Sequence, residues 1–390
     1  MTLTALREEL RRSHIVVRSP DALRRIATAP GELGFSRAYV AGELDIEGDV
    51  YEALALLERR QALIPLARRL LPALRTLGTD ALRPLPAPPE EAHLRGRRHS
   101  KARDAAAIAH HYDVSNSFYR LVLGPSMTYS CALFAESAAT LERAQEAKHE
   151  LVAQKLGLRQ GVRLLDVGCG WGSMLIHAAE RHGTCGVGVT NSRRQAEVAR
   201  ERVRDPGLAD RVEIRLADYR DVADGAYDAI SSIGMFEHVG LSQLTVYFSG
   251  LYELLRPGGR LLNHGISRPP GRRRLVPRRT FMNRYVFPDG ELHEVGAVVS
   301  RMQAAGLEVR HVESLREHYA LTLRRWVGNL EQSWDEAVAE VGSARARIWR
   351  LYMAGCALGF EAGRLQVHQV LGVRADRGRS GMSLQPGMWN

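Results

Sequence analysis

Between residues 162 and 265 the apolar positions alternate between two periods. Short continuous apolar runs, VRLLDVG, CGVGVT, VEIRLAD, YDAISSIGM and RLLNHGI, are separated by segments whose apolar residues recur every three to four positions: Met174–Arg181, Gln195–Val203 and Tyr247–Leu255. Runs without polar alternation are strands buried on both faces, and the helices between them supply the cover. The pattern predicts a doubly wound α/β domain with a parallel sheet. Upstream, residues 101–160 read as helices around a loop centred on MTYSCALF. Downstream, 267–320 interrupt the pattern with an arginine-rich loop and further helices, 321–370 read as helical, and the tail from Gly372 is polar.

The first 80 residues show short helical patterns around a glycine-punctuated centre, GELGFSRAYVAGELDIEGD. From Tyr51 to Leu77 apolar residues recur at helical spacing with Arg59, Arg60, Arg68, Arg69 and Arg75 interspersed. Such a helix packs on a core or lies on a membrane surface. Proline and charge then dominate 82–100, which fixes φ and removes donors. The expected organisation is a smaller, mainly helical domain over 1–85, a linker over 86–100, and a catalytic domain over 101–390 with an insertion at 267–320.

Composition narrows the class. At 390 residues, 45% hydrophobic and 25% charged, the chain is neither fibrous nor wholly disordered. It has no apolar run of ~18 residues, and its first residues, MTLTALREELRRSH, carry charge where a signal peptide has an apolar core, so a cytoplasmic protein is expected. Cys131, Cys169, Cys185 and Cys356 form no CxxC pair, and His110, His111, His264 and Cys131 lack metal-ligand spacing beyond two adjacent histidines; no metal site is expected. The formal charge of +10 favours a polyanionic partner, nucleic acid or an anionic membrane surface. All but three of the 54 basic residues are arginine, the exceptions being Lys101, Lys148 and Lys155, a bias read as that of a GC-rich genome.

The chemistry begins at Asp166-Val-Gly168-Cys-Gly170-Trp-Gly172, which follows an apolar strand and opens a helix. Glycines there admit a ligand close to the backbone, and a helix N-terminus favours a carboxylate. The spacing is neither a phosphate-cradling loop nor GxGxxG. It resembles the S-adenosylmethionine loop of class I methyltransferases, with LADY (Asp218, Tyr219) at the end of the third strand and LLRPGGRLL before the fifth. Thr190 stands where many such enzymes have an acidic residue for the ribose, which leaves Thr190 and Gln195 to read it.

Further segments resemble the cyclopropane fatty acid synthase family: HYDVSNSFYRLVLGPSMTYSCALF (111–134), GMFEHVG (234–240), HGIS (264–267), FMNRYVFPDGEL (281–292) and SLREHYALTLRRW (314–326), in the family's order. The resemblance covers about residues 20–370, and GELGFSRAYVAGELD looks like the family's lipid-engaging N-terminal domain. It implies S-adenosylmethionine-dependent methylation of a cis double bond in an unsaturated acyl chain of a membrane phospholipid. It also implies a bicarbonate base held by Cys131, Glu237, His264, Ile266 (through its backbone) and Tyr319. For the cofactor it implies Tyr129 and Ser130 at the methionine end, with Asp166, Gly168, Gly170, Gly172, Thr190, Gln195, Asp218 and Tyr219 holding the rest.

The methylated alkene is a carbocation, and two products follow from it: a cyclopropane, or, after a hydride shift, a methylene branch that a separate reductase converts to a methyl branch. Glu146, in LERAQEAKHELV, is expected to face the pocket and favour the shifted cation, which points to the methylene-forming, tuberculostearic acid-type branch; a solvent-facing helical glutamate is the alternative. A nucleic-acid methyltransferase is disfavoured by the lack of an aromatic-interleaved basic patch, so no nucleic-acid partner is expected. A non-catalytic lipid binder is disfavoured by the intact glycine loop. The expected enzyme is peripheral to the membrane, with a homodimer as an open possibility.

Overall fold

The computed structural model describes residues 14–59, 83–94, 96–112, 114–271, 280–385, 387 and 389. The predicted basic loop with Arg272, Arg273, Arg274, Arg278 and Arg279, and the predicted amphipathic helix beyond Arg59, lie outside them. Two compact units are present, one gathering residues 1–93, 272–288 and 326–358, the other 94–271, 289–325 and 359–390.

In the first unit, β1 (Ile15–Val17) pairs antiparallel with β2 (Leu44–Ile46), and α1 (Pro20–Thr28), α2 (Glu32–Val40) and α3 (Val50–Arg59) accompany them. Ser19 caps α1, its Oγ accepting from the Asp21 N–H, and Pro20 fills the first turn, where its missing N–H leaves no bond unmade. Leu23, Ile26, Phe35, Tyr39, Leu44 and Ile46 are buried. A single cut after residue 85 does not describe this unit, because later stretches of chain return to it. The buried Glu91 pairs with Arg37 at 2.9 Å and with Arg284 at 3.4 Å, and Asp45 pairs with Arg347 at 3.1 Å. Ion pairs between distant segments leave no trace in local periodicity.

The second unit is built on a seven-stranded sheet of order β5-β4-β3-β6-β7-β9-β8, from β3 (Arg163–Val167), β4 (Cys185–Thr190), β5 (Val212–Leu216), β6 (Tyr227–Ile233), β7 (Leu255–Ser267), β8 (Glu308–Ser314) and β9 (Gln366–Val373). The five strands through β7 are parallel, as their continuous apolar runs predict, and β9 lies antiparallel between β7 and β8. The last two strands depart from the sequence expectation of an insertion followed by helix. In β8, EVRHVES, exposed and half-buried positions alternate along a sheet edge, and in β9, QVHQVLGV, His368 and Gln369 interrupt the apolar run.

The helices of this unit that matter below are α4 (Lys101–Tyr112), α5 (Asn116–Leu123), α6 (Leu141–Leu156), α7 (Ser173–His182), α8 (Arg193–Arg204), α9 (Leu244–Leu254) and α10 (Val295–Ala304); α11 runs from Arg316 to Gln332. Thr140 caps the start of α6 and Gly157, left-handed, ends it. Successive side chains of β3 feed opposite cores. Leu164 packs with Val152 of α6 and Leu175 and Ala178 of α7, whereas Leu165 and Val167 pack with Phe248 and Leu251 of α9 and Val298 and Met302 of α10. Covering both faces leaves the carboxyl ends of the parallel strands as the open rim, where sheets of this kind bind ligands.

Candidate active site

At that rim the ends of β3, β4 and β6 and the turn after β5 surround a cleft with about 890 Å³ of empty space, part of it open to solvent. Asp166, the last polar residue of β3, is buried, and its Oδ1 accepts from Ser231 Oγ at 2.6 Å across the β3–β6 register. Burial pushes its carboxyl up to about 6, opposed by the Ser231 bond and by the nearby Lys148 ammonium. The loop beyond it turns on left-handed glycines, of which Gly170 (φ 55°) lines the cleft with open space where a side chain would stand. Gly168 also lines the cleft; Gly172 does not, and instead begins α7.

Tyr129, Ser130, Thr190, Gln195 and Tyr219 all face the cleft, as expected. Thr190 Oγ1 donates to Gln195 Oε1 at 2.8 Å, and the Ser192 hydroxyl accepts from the Gln195 N–H, so the two ribose candidates are held as one unit. The Tyr129 hydroxyl lies 3.1 Å from His111 Nε2. Asp218 is placed differently. Its carboxylate is engaged by Arg220 at 2.6 and 2.7 Å and by Asn191 at 3.3 Å, and it does not line the cleft.

A second group adjoins the end of β7. Glu237 is buried, with Oε1 accepting from the Ile266 N–H at 2.7 Å and Oε2 buried without a hydrogen-bond partner. His264, two residues before Ile266 on the same strand, is 2% exposed; its Nδ1 meets Gln369 Nε2 at 3.1 Å and its Nε2 is likewise without a partner. Cys131, fully buried, directs Sγ to the Leu315 carbonyl at 3.6 Å; Leu315 N–H bonds Val367, whose register partner is Ile266, and Leu315 O also accepts from the N–H of Tyr319. Thus Cys131, Glu237, His264, Ile266 and Tyr319, spread over 188 positions of sequence, are tied to one corner of the sheet through β7, β9 and the start of α11. Burial sets their charge: it pushes Glu237 up to about 7, His264 down to about 3, and the Cys131 thiol far above its ordinary value.

Gly265 lies between the two key residues in a place no side chain fits. A Cβ there would overlap the ring of buried Phe236 and sit 3.1 Å from Glu237 Oε1. Gly265→Ala is therefore expected to displace Phe236 and Glu237, at a cost of about 1–3 kcal/mol from overpacking. The check is a lowered melting temperature together with at least a tenfold loss of kcat.

Glu146 corrects the sequence expectation. It does not face the cleft: Oε1 pairs with Arg181 Nη2 at 2.6 Å, with side chains 52% and 62% exposed. Exposed pairs of this kind carry little energy, so Glu146→Gln should change turnover and product ratio by less than about twofold. A diverted product in that variant would restore a role for it.

A family model described as mycolic acid cyclopropane synthetase matches residues 99–370. A probable fatty acid methyltransferase of Mycobacterium tuberculosis is 49% identical over 382 residues, covering 95% of this chain and 89% of the relative. The chain belongs to the cyclopropane and mycolic acid synthase family of S-adenosylmethionine-dependent methyltransferases. The tuberculostearic acid methyltransferase UfaA1 of the same organism is 37% identical, covering 91% of this chain and 82% of that one. Among solved structures, the Mycobacterium tuberculosis cyclopropane synthase MmaA2 matches with a TM-score of 0.65 at 32% identity, covering 71% of this chain and all of that one. The mycolic acid cyclopropane synthase CmaA1, complexed with SAH and CTAB, matches with a TM-score of 0.65 at 34% identity, over 69% and 97%. The family fixes the coarse activity: methyl transfer from S-adenosylmethionine to a lipid.

In this family member the cleft contains groups that the motifs did not single out. Lys148 and His149 of α6 line it, 1% and 5% exposed, as does Trp171, whose Nε1 donates to Asn116 at 2.8 Å. Burial pushes Lys148 down to about 7, against the pull of Asp166 and Cys131. The signal was its residue type, a lysine in a chain of arginines. Elsewhere in this unit His177 and His182 share Glu150 Oε2 at 3.3 and 3.0 Å.

Proposed function

We propose that the chain methylates the cis double bond of an unsaturated fatty acyl chain in a membrane phospholipid and releases a methylene-branched product, with bicarbonate held at the β7 corner as base. The observation that carries this reading is a pair of buried atoms without a hydrogen-bond partner, Glu237 Oε2 and His264 Nε2, on residues joined through the end of β7. Hydrogencarbonate has both a donor and acceptors, so it suits a site supplied by a carboxylate and an imidazole. When bound, S-adenosylmethionine supplies the methyl group and bicarbonate the proton acceptor.

The chain's own groups keep the intermediate cation from being trapped. Cys131 stays a thiol because burial disfavours its thiolate, which would otherwise attack a sulfonium or a carbocation. His264 stays neutral through burial. Glu237 holds its ion-facing oxygen in place through the Ile266 N–H. Apolar Met127, Met174, Ile233 and Met235 are among the residues lining the cleft, and exclusion of water by such side chains favours contact between methyl donor and alkene.

The methylene branch rests on similarity over 91% of this chain to a tuberculostearic acid methyltransferase; the cyclopropane mycolic acid synthase 1 relative covers 68% of this chain. Glu146, on the solvent side, does not select between the two products. The cyclopropane reading is the alternative, carried by that relative's name at 35% identity. Membrane attachment through the +10 charge, action of a separate reductase on the product, and a homodimer belong to the same proposal; no helix among the described residues is long and apolar enough to cross a membrane.

The test is mass spectrometry of fatty acids from a host expressing the chain, with derivatisation that separates methylene branches from cyclopropanes. Cyclopropane alone would sink the methylene reading and leave the family and the cofactor cleft standing. Purified enzyme should also turn over on anionic liposomes faster than on acyl carrier protein substrates; the reverse would overturn the phospholipid assignment.

A further inference from the structure

The two nitrogens of His264 meet different surroundings, and what lies behind Nδ1 dictates what Nε2 can do. In the antiparallel β7–β9 register His264 stands opposite Gln369, which is fully buried, and Nδ1 lies 3.1 Å from Gln369 Nε2. The other amide atom of Gln369, Oε1, accepts from Lys155 Nζ at 2.6 Å. Lys155 is itself fully buried and makes a second bond to Glu313 Oε2 at 2.5 Å. Paired with that carboxylate it is an ammonium, and an ammonium has only donors. The amide atom facing it must therefore be the oxygen, which turns the NH₂ of Gln369 toward His264. Nδ1 must accept, and in a neutral imidazole the proton then sits on Nε2.

We propose that Lys155 and Gln369 are positioning residues that lock His264 in the Nε2–H tautomer, so that its free edge presents a hydrogen-bond donor to the anion at the β7 corner. That the edge faces an anion rests on the function proposed above; the tautomer does not. The opposite tautomer would need Nδ1–H donating to the Gln369 oxygen, and the flipped amide would press its NH₂ against the Lys155 ammonium. The ring also remains neutral, since burial together with Lys148, Lys155 and His368 disfavours imidazolium. With its free edge occupied by a proton, His264 cannot take one from the substrate cation. It holds the ion, and the proton leaves to the ion.

The direct measurement is long-range ¹H–¹⁵N correlation NMR on full-length protein with ¹⁵N-labelled histidine, the His264 signals identified by their loss in His264→Gln. The wild type is expected to show the Nε2–H pattern. Gln369→Glu puts a carboxylate oxygen against Nδ1, with Lys155 still paired, and should move the proton to Nδ1. That variant should lose roughly 10²-fold in kcat with the KM for S-adenosylmethionine within about twofold, because one positioned donor is lost from a desolvated site. Gln369→Asn, which keeps the amide on a shorter stem, should restore part of the Nε2–H signal.

An Nδ1–H pattern in the wild type, or an Nε2–H pattern that survives Gln369→Glu, overturns the proposal. Titration of the wild type with bicarbonate separates it from the reading it rests on. A shift of the His264 Nε2 resonance supports the anion site, and an Nε2–H ring that does not respond retires the anion while leaving the lock in place.

Discussion

Glu237→Gln should lose turnover and gain stability in the same protein at pH 8. Turnover falls by ~10²–10³ because the group proposed to hold the bicarbonate loses its charge in a desolvated site, while cofactor affinity stays within about twofold. The stability gain follows from the carboxyl pKa, ordinarily 4.5 and pushed up to about 7 by burial. Below pH 4.5 folded and unfolded chains are both protonated and the wild type has its full stability. As pH rises through 4.5 to 7 the unfolded chain releases a proton that the folded chain retains, so stability falls and stays lower above 7. A shift of this size corresponds to on the order of 3 kcal/mol, which glutamine recovers, since its carbonyl still accepts from the Ile266 N–H. In bicarbonate-free buffer the melting temperature of the variant should exceed that of the wild type by about 5 °C or more at pH 8 and by little at pH 5. Equal melting temperatures at both pH values would show that Glu237 is not a desolvated acid.

Lys148→Arg should be worse than Lys148→Met. Arginine is bulkier and cannot shed its proton, whereas burial already brings the lysine to about 7. A permanent cation at a site 1% exposed, beside a cleft that must receive a sulfonium, costs several kcal/mol. The arginine variant should bind S-adenosylmethionine at least tenfold more weakly and melt several degrees lower, by calorimetry. The methionine variant keeps the unbranched stem and should fold with a melting temperature close to wild type. An arginine variant indistinguishable from the native protein would mean that the amine has no part in shaping the cleft.

Lys148 also shows where the sequence could be read and where it misled. The five parallel strands were legible because burial on both faces leaves unbroken apolar runs, and the glycine loop because its spacing follows a strand and opens a helix. The buried stripe of α6 was not legible. Among its buried positions the apolar Leu141, Ala144, Val152, Ala153 and Leu156 alternate with Gln145, Lys148, His149 and Lys155, so hydrophobic patterning passes over the polar ones, and Glu146, on the outward side, drew attention instead. The arginine bias, set aside as a matter of genome composition, held information in its exceptions. Two of the three lysines, Lys148 and Lys155, are buried where a compact or deprotonatable cation is needed. The return of 326–358 to the first unit, and the strands β8 and β9, depend on contacts between distant segments that no local window contains.

The place of β9 has a bearing on how the protein comes into being. Gln369 meets His264 only after about 100 residues of intervening chain have been brought round, a closure that costs entropy before any contact rewards it. During synthesis from the N-terminus, β3 to β7 emerge and can assemble the methyl-donor cleft well before β9 leaves the ribosome. The last strand thus joins the proposed corner to both cores, since Leu371 packs into one and Val370 into the other, and chains shortened before Gln366 should form no product.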